Sequence, residues 1–256
     1  VVLGALGAAF GLILAVASKI FEVKKDPREE AILGCLAGAN CGGCGFPGCA
    51  GLAAAIVKGE APVNGCAPAG AEGAAKIAEI MGMEAPSGER MVAFVRCNGG
   101  NNAKTRFEYK GVKDCLAATK VAGTHLECNF GCLGFGSCVA ACQFGAISMD
   151  PATGLPVVDE EKCTACGACV KACPKAVIEL RNKGRRNMRV FVSCVNKDKG
   201  AAARKACKAA CIGCGKCAKV CPFEAITVEN NVAYIDFTKC KLCKKCVAEC
   251  PTGAIH

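Results

Sequence analysis

The sequence predicts an α+β protein, small in its parts and dominated by cysteine-ligated groups, behind one amino-terminal transmembrane helix. Three observations carry that prediction. The chain of 256 residues holds 25 cysteines and no tryptophan, with only 5% aromatic residues, so it cannot build ordinary apolar cores throughout. Cysteine runs ending in proline recur along the second half, as in CIGCGKCAKVCP (residues 211–222) and CKLCKKCVAECP (residues 240–251). Residues 1–17 are uninterrupted apolar or small.

Each proline-terminated run has the CxxCxxCxxxCP spacing of a bacterial two-cluster ferredoxin. Three closely spaced thiolates cap one cubane, while the fourth cysteine, turned away before proline, ligates the other cluster. One [4Fe–4S] cluster is therefore assigned to Cys211, Cys214, Cys217 and Cys250, and another to Cys240, Cys243, Cys246 and Cys221. Structural zinc also takes paired CxxC, but it gives no reason for the exchanged fourth cysteine.

The cysteine content does not describe a secreted disulfide scaffold, because the number is odd and the spacings are those of cluster ligation. The formal charge of +10 invites a nucleic-acid reading. An oxidised cubane with four thiolates carries roughly −2, however, so about five of them cancel the excess. No nucleic-acid partner is expected. Lys239, Lys241, Lys244 and Lys245 instead suit the steering of an acidic redox partner.

Taken in order, residues 1–21 approach the roughly 20 residues that a spanning helix needs. Lys19, Lys24, Lys25 and Arg28 follow at once, which by the positive-inside rule puts the bulk of the chain in the cytoplasm, single-pass at the inner membrane. Gly7 and Gly11 form a GxxxG pair for a neighbouring helix. A cleaved signal peptide is the rival reading, weakened because export would expose cluster cysteines to oxidation. Residues 22–32 read as a charged linker. Residues 33–85 read as a small four-cysteine [4Fe–4S] domain, with Cys41, Cys44, Cys49 and Cys66 as ligands and helices over residues 50–58 and 71–81. Gly43, Gly45 and Gly48 match GxGxxG, but no strand precedes them and Pro47 interrupts, so no nucleotide or flavin site is expected.

From Arg90 the chain repeats with a period of roughly 100 residues. The two copies, residues 90–181 and 188–256, are read as tandem ferredoxin modules, each with an amino-terminal extension. Each opens on a strand-like stretch (residues 91–95 and 190–192) and carries a hairpin starting at Ala146-Ile147 or Ala225-Ile226. In the first module Cys163, Cys166, Cys169 and Cys142 form one ligand set. The leading run is incomplete: LGFGS separates Cys132 from Cys138, and Gln143 replaces the proline after Cys142. Cys128 is taken as the missing ligand, giving Cys128, Cys132, Cys138 and Cys173. Five cysteines remain, Cys35 among them. Cys97, Cys115, Cys194 and Cys207 fall at corresponding places in the two copies, and either hold a sixth cluster between the modules or stay as buried thiols. No residue is expected to perform bond chemistry.

The order of parts resembles the B subunit of the Rnf ion-translocating electron transport complex, in its longer, polyferredoxin-like form. The membrane helix, NCGGCGFPGC with Cys66, YKGVKDCLAA (residues 109–118), CNFGCLGFGSC (residues 128–138) and the tandem runs carry the resemblance across essentially the whole chain. It implies an electron-transfer component of a translocase that exchanges electrons between ferredoxin and NAD, coupled to Na⁺ or H⁺ transport. It also implies membrane partners, the A, C, D, E and G subunits, and soluble ferredoxin as electron donor. The alternatives are a polyferredoxin component of a membrane hydrogenase or related reductase, and a reducing system for a redox-sensing transcription factor.

Overall fold

The structure, a computed structural model, describes residues 10–12, 14, 26–84, 90–184 and 188–256. The helix expected over residues 1–21 lies almost wholly outside the described residues. Phe10, Gly11, Leu12 and Leu14 are helical, and the three larger side chains are exposed. Among the described residues no helix is long and apolar enough to cross a membrane.

The expected charged linker gives way to helix α1 (Pro27–Cys35). Asp26 caps it by accepting the Arg28 N–H at 2.9 Å, Pro27 takes a first-turn position that needs no donor, and Glu29 and Glu30 face the positive helix end. These start signals outweigh the linker-like composition. α2 (Gly48–Val57) and α3 (Gly70–Met81) follow, the latter ended by Gly82 at φ +67°. Ile32, Leu52, Ile56 and Ile77, each at most 1% exposed, form the core of this first unit. Burial of this kind contributes about 1.5–3 kcal/mol per side chain.

The first module comprises β1 (Met91–Val95), α4 (Cys115–Ala122), α5 (Ser137–Ala140), β2 (Ile147–Met149), β3 (Pro156–Val158), α6 (Ala168–Ala172) and β4 (Ile178–Asn182). β1 pairs antiparallel with β4, placing Phe94 opposite Glu179, and β2 and β3 form a hairpin. The second comprises α7 (Gly200–Ala206), α8 (Lys216–Lys219), β5 (Ile226–Glu229), β6 (Val232–Ile235) and α9 (Lys245–Ala248). Asn230 and Asn231, at φ +48° and +61°, make the tight turn of its β5–β6 hairpin. The opening strand expected over residues 190–192 is reduced to a single bridge, Val192 with Ile255, flanked by Phe191 N–H donating to His256 O at 3.0 Å. It is nevertheless the counterpart of the β1–β4 pairing.

The modules are docked rather than strung. The buried Arg181 on β4 pairs with Glu179 and stacks 4.8 Å from Phe94, 4.9 Å from Tyr234 and 5.5 Å from Phe237, the last two belonging to the second module. Between the modules, residues 102–106 lie against residues 206–208 on one side and 125–127 on the other, through bridges Ala103–Cys207 and Thr105–Leu126.

Candidate iron–sulfur centres

Backbone conformation marks the cluster loops. The residue before the second ligand position is left-handed in every run: Gly134 (φ +77°), Ala165 (+56°), Gly213 (+64°) and Leu242 (+57°). So is the residue after that position, at Gly136, Gly167, Gly215 and Lys244, and the third residue after the fourth cysteine, at Gly145, Ala176, Glu224 and Gly253. A chain that turns left twice in four residues wraps its side chains inward around one centre. In the incomplete run this register puts Phe135 where a second cysteine belongs.

Four cysteines line each of several cavities. Cys142, Cys163, Cys166 and Cys169 surround one of about 310 Å³, and Cys211, Cys214, Cys217 and Cys250 one of about 320 Å³. Cys246 lies within electrostatic reach of Cys240, Cys243 and Cys221. Three sets thus come together in the groupings that spacing and exchange predict.

The incomplete run differs from the sequence expectation. A cavity of about 360 Å³ is lined by Cys132, Cys138, Cys173 and Cys115, not Cys128. Asp114 caps α4 by accepting the Ala117 N–H at 2.8 Å and the Ser137 hydroxyl at 2.7 Å, while the Ser137 oxygen accepts the Cys115 N–H at 2.7 Å. That network fixes Cys115 beside Cys138. Tyr109 and Phe135 stack at 5.2 Å, holding the 109–115 loop over the position that lacks a cysteine. Order along the chain pairs Cys115 with Cys207; the readable signal is the CxxFGSC register, in which Phe135 leaves a ligand to come from elsewhere.

Cys128 instead lines a cavity with Cys97, Cys194 and Cys207. In the first unit, Cys44, Cys49 and Cys66 pack on the same core. Asn40, at φ +46°, accepts the Cys49 N–H at 2.8 Å and so closes the glycine-rich loop that carries Cys41 and Cys44. Cys35 sits at the end of α1, against that core and outside the loop.

The sulfurs are chemically prepared for iron. Backbone N–H groups donate to Cys163 from Ala93 at 3.4 Å, to Cys142 from Ala146 at 3.3 Å, and to Cys250 from Ala254 at 3.3 Å. Such bonds stabilise negative charge on sulfur and tune a bound cluster. Burial pushes the Cys132 and Cys169 thiols up to about 12, and Cys138 and Cys217 to about 11, with neighbouring thiols adding to each. Thiols packed this way ionise only with a cation among them. Among the described residues no three Cys, His, Asp or Glu side chains stand close enough to hold a single metal ion. Zinc, which draws four ligands to about 2.3 Å from one centre, therefore fits these cavities worse than a bulky four-iron group.

The fold and its quartets define an iron–sulfur protein of the polyferredoxin class, a carrier of single electrons. Residues 36–68 match a family model described as an Fe-S cluster, and residues 127–198 and 210–254 match the 4Fe-4S dicluster domain. The chain is 51% identical to the B subunit of the Na⁺-translocating ferredoxin:NAD⁺ oxidoreductase complex of Acetobacterium woodii, over 99% of this chain and 75% of that protein. It is 46% identical to the B subunit of the ion-translocating oxidoreductase complex of Methanosarcina acetivorans, over 100% and 96% of the two chains. It is also 46% identical to the B subunit of the proton-translocating ferredoxin:NAD⁺ oxidoreductase complex of Clostridium ljungdahlii, over 100% and 90%. The chain belongs to this family, the B subunits of the Rnf-type ion-translocating oxidoreductase complexes, and is an electron-transfer component of a multi-subunit, membrane-associated assembly.

Proposed function

We infer that the chain relays single electrons from soluble ferredoxin to membrane partners of an Rnf-type complex, the A, C, D, E and G subunits, while NAD reduction and ion transport take place outside this chain. Five [4Fe–4S] clusters supply the one-electron centres when bound. Their proposed ligands are Cys41, Cys44, Cys49 and Cys66; Cys115, Cys132, Cys138 and Cys173; Cys163, Cys166, Cys169 and Cys142; Cys211, Cys214, Cys217 and Cys250; and Cys240, Cys243, Cys246 and Cys221. The remaining assignments, a single helix over residues 1–21 and cluster domains on the cytoplasmic side, rest on the apolar amino terminus and the lysines after it.

The observation that carries this reading is a succession of cysteine groups between two different ends. At one end Gly43, in the loop of Cys41 and Cys44, packs so closely on the Cys166 carbonyl that a Cβ there would meet the oxygen at 2.5 Å. At the other, Cys243 is exposed and ringed by the exposed Lys239, Lys241, Lys244 and Lys245. Those cations attract an acidic protein to the face where a thiol reaches the surface.

The test is anaerobic reduction of the purified chain by soluble ferredoxin, followed by EPR, in wild type and in a Lys244→Glu/Lys245→Glu variant. The wild type should be reduced rapidly and more slowly as salt is raised. The variant should need several-fold more ferredoxin for the same rate and show a weaker salt dependence. Equal rates for both proteins at low salt would remove ferredoxin docking from this face.

A further inference from the structure

We propose that Cys97, Cys128, Cys194 and Cys207 hold a sixth [4Fe–4S] cluster that joins the two ferredoxin modules, a site that neither module contains by itself. The inference rests on the reading of the chain as a cluster carrier and adds a centre to it.

The four cysteines come from separate segments, two in each module, yet line one cavity, with Cys132 of the neighbouring quartet at its edge; its empty space, open mouth included, is about 370 Å³. That is as large as the cavities of about 310, 320 and 360 Å³ at the other quartets. The strand-like segment 102–106 creates the meeting point. Its bridge to Cys207 and its neighbour segment 125–127 deliver Cys207 and Cys128 from opposite sides. The Asn98 N–H donates to Ser193 O at 3.0 Å, which brings the Cys97 and Cys194 segments together across the module boundary.

The sulfurs carry the same kind of donors as the quartets in the ferredoxin runs. Cys97 accepts from the Gly99 N–H at 3.3 Å and the Cys132 N–H at 3.4 Å. Cys128 accepts from the side-chain amide of Asn196 at 3.4 Å, a residue only 1% exposed whose own oxygen is taken by the Asp198 N–H at 2.7 Å. A fully buried amide aimed at a cysteine is costly unless that sulfur bears negative charge. Five quartets use 20 cysteines and this one 4, so 24 of the 25 are placed and only Cys35 is left over.

The position gives the centre its role. Cys132, of the first module's Cys115 quartet, donates its own N–H into this group, and Cys211 of the second module packs on the same core as Cys194 and Cys207. Held by Cys97, Cys128, Cys194 and Cys207, a cluster would supply a one-electron centre between the two modules.

The experiment counts iron and acid-labile sulfide on the full chain, anaerobically purified, in single and paired variants, with EPR of each. Wild type should hold about twenty-four irons and as many sulfides. Cys194→Ala should lose about four of each. Adding Cys128→Ala to it should remove no more, because both belong to one cluster, whereas adding Cys115→Ala should remove about four more. Asn196→Ala guards against misfolding, since it should keep the full iron count and lower the midpoint potential of one signal, the same signal that Cys194→Ala abolishes. About twenty irons in wild type, with Cys194→Ala unchanged, would overturn the sixth site and leave the relay intact. Eight irons or fewer, or zinc in their place, would instead bring down the cluster-carrier reading on which it rests.

Discussion

At the scale of single residues the cluster loops are set by left-handed backbone. Ala165, Ala176, Glu224, Leu242 and Lys244 hold positive φ at positions where other runs have glycine. Each non-glycine residue there costs roughly 1–2 kcal/mol, so the wrap around a cluster is maintained against a local preference. The glycines divide by what surrounds them. At Gly213, φ is +64° and a Cβ would meet the Asn231 carbonyl at 2.7 Å; at Gly167, φ is +78° but a Cβ would touch only Leu180, at 3.9 Å. Gly167→Ala should therefore keep its iron, as Ala165 already shows the strain to be bearable. Gly213→Ala adds a clash with backbone and should lose about four irons, those of the Cys211 quartet. Equal iron in the two variants would show that close approach, rather than φ alone, does not limit these loops.

At the scale of elements, α4 illustrates how a helix start positions a ligand. Its N-cap Asp114 is held below the usual carboxylate range by the Ser137 hydroxyl first, then by the Ala117 N–H. The same hydroxyl oxygen receives the Cys115 N–H, so cap, helix α5 and ligand form one unit. Ser137→Ala removes both contacts. It should cost about 1 kcal/mol for the lost hydrogen bonding and empty the Cys115 quartet selectively, with loss of iron to a chelator several-fold faster than wild type. Ser137→Thr, which keeps the hydroxyl, should restore retention; failure to do so would mean that Cys115 is not held through this bond. Much of this architecture is legible in the sequence, but not this part. Complete CxxCxxCxxxCP runs, α2, α3 and both hairpins can be read because ligand spacing and periodicity are local. Helix α1 escapes that reading because charged composition outweighs the cap at Asp26. The partner of Cys132 escapes it because Cys128 is much the nearer of the two in sequence, and only the turn of the chain after Asp114 brings the more distant Cys115 to the quartet and leaves Cys128 at the module boundary.

At the scale of the whole molecule, the succession of centres depends on two packing contacts between independent cores. Arg181 locks the modules together with a buried guanidinium, stacked on three aromatic rings and paired with Glu179. Gly43 sets the other contact, between the Cys41 loop and the Cys166 carbonyl, and its φ lies outside the left-handed range that excludes a side chain. Gly43→Ala thus leaves the loop's own conformation accessible and disturbs only the approach, because a methyl group 2.5 Å from a carbonyl oxygen forces the two units apart. The expected protein has wild-type iron and unchanged reduction of the module centres by ferredoxin. Electron arrival at the Cys41 centre, resolved by rapid-freeze EPR, should slow by an order of magnitude or more, and ion-coupled turnover in the assembled complex should fall with it. Full-speed arrival in that variant would mean that electrons do not enter the Cys41 unit through the Cys166 loop.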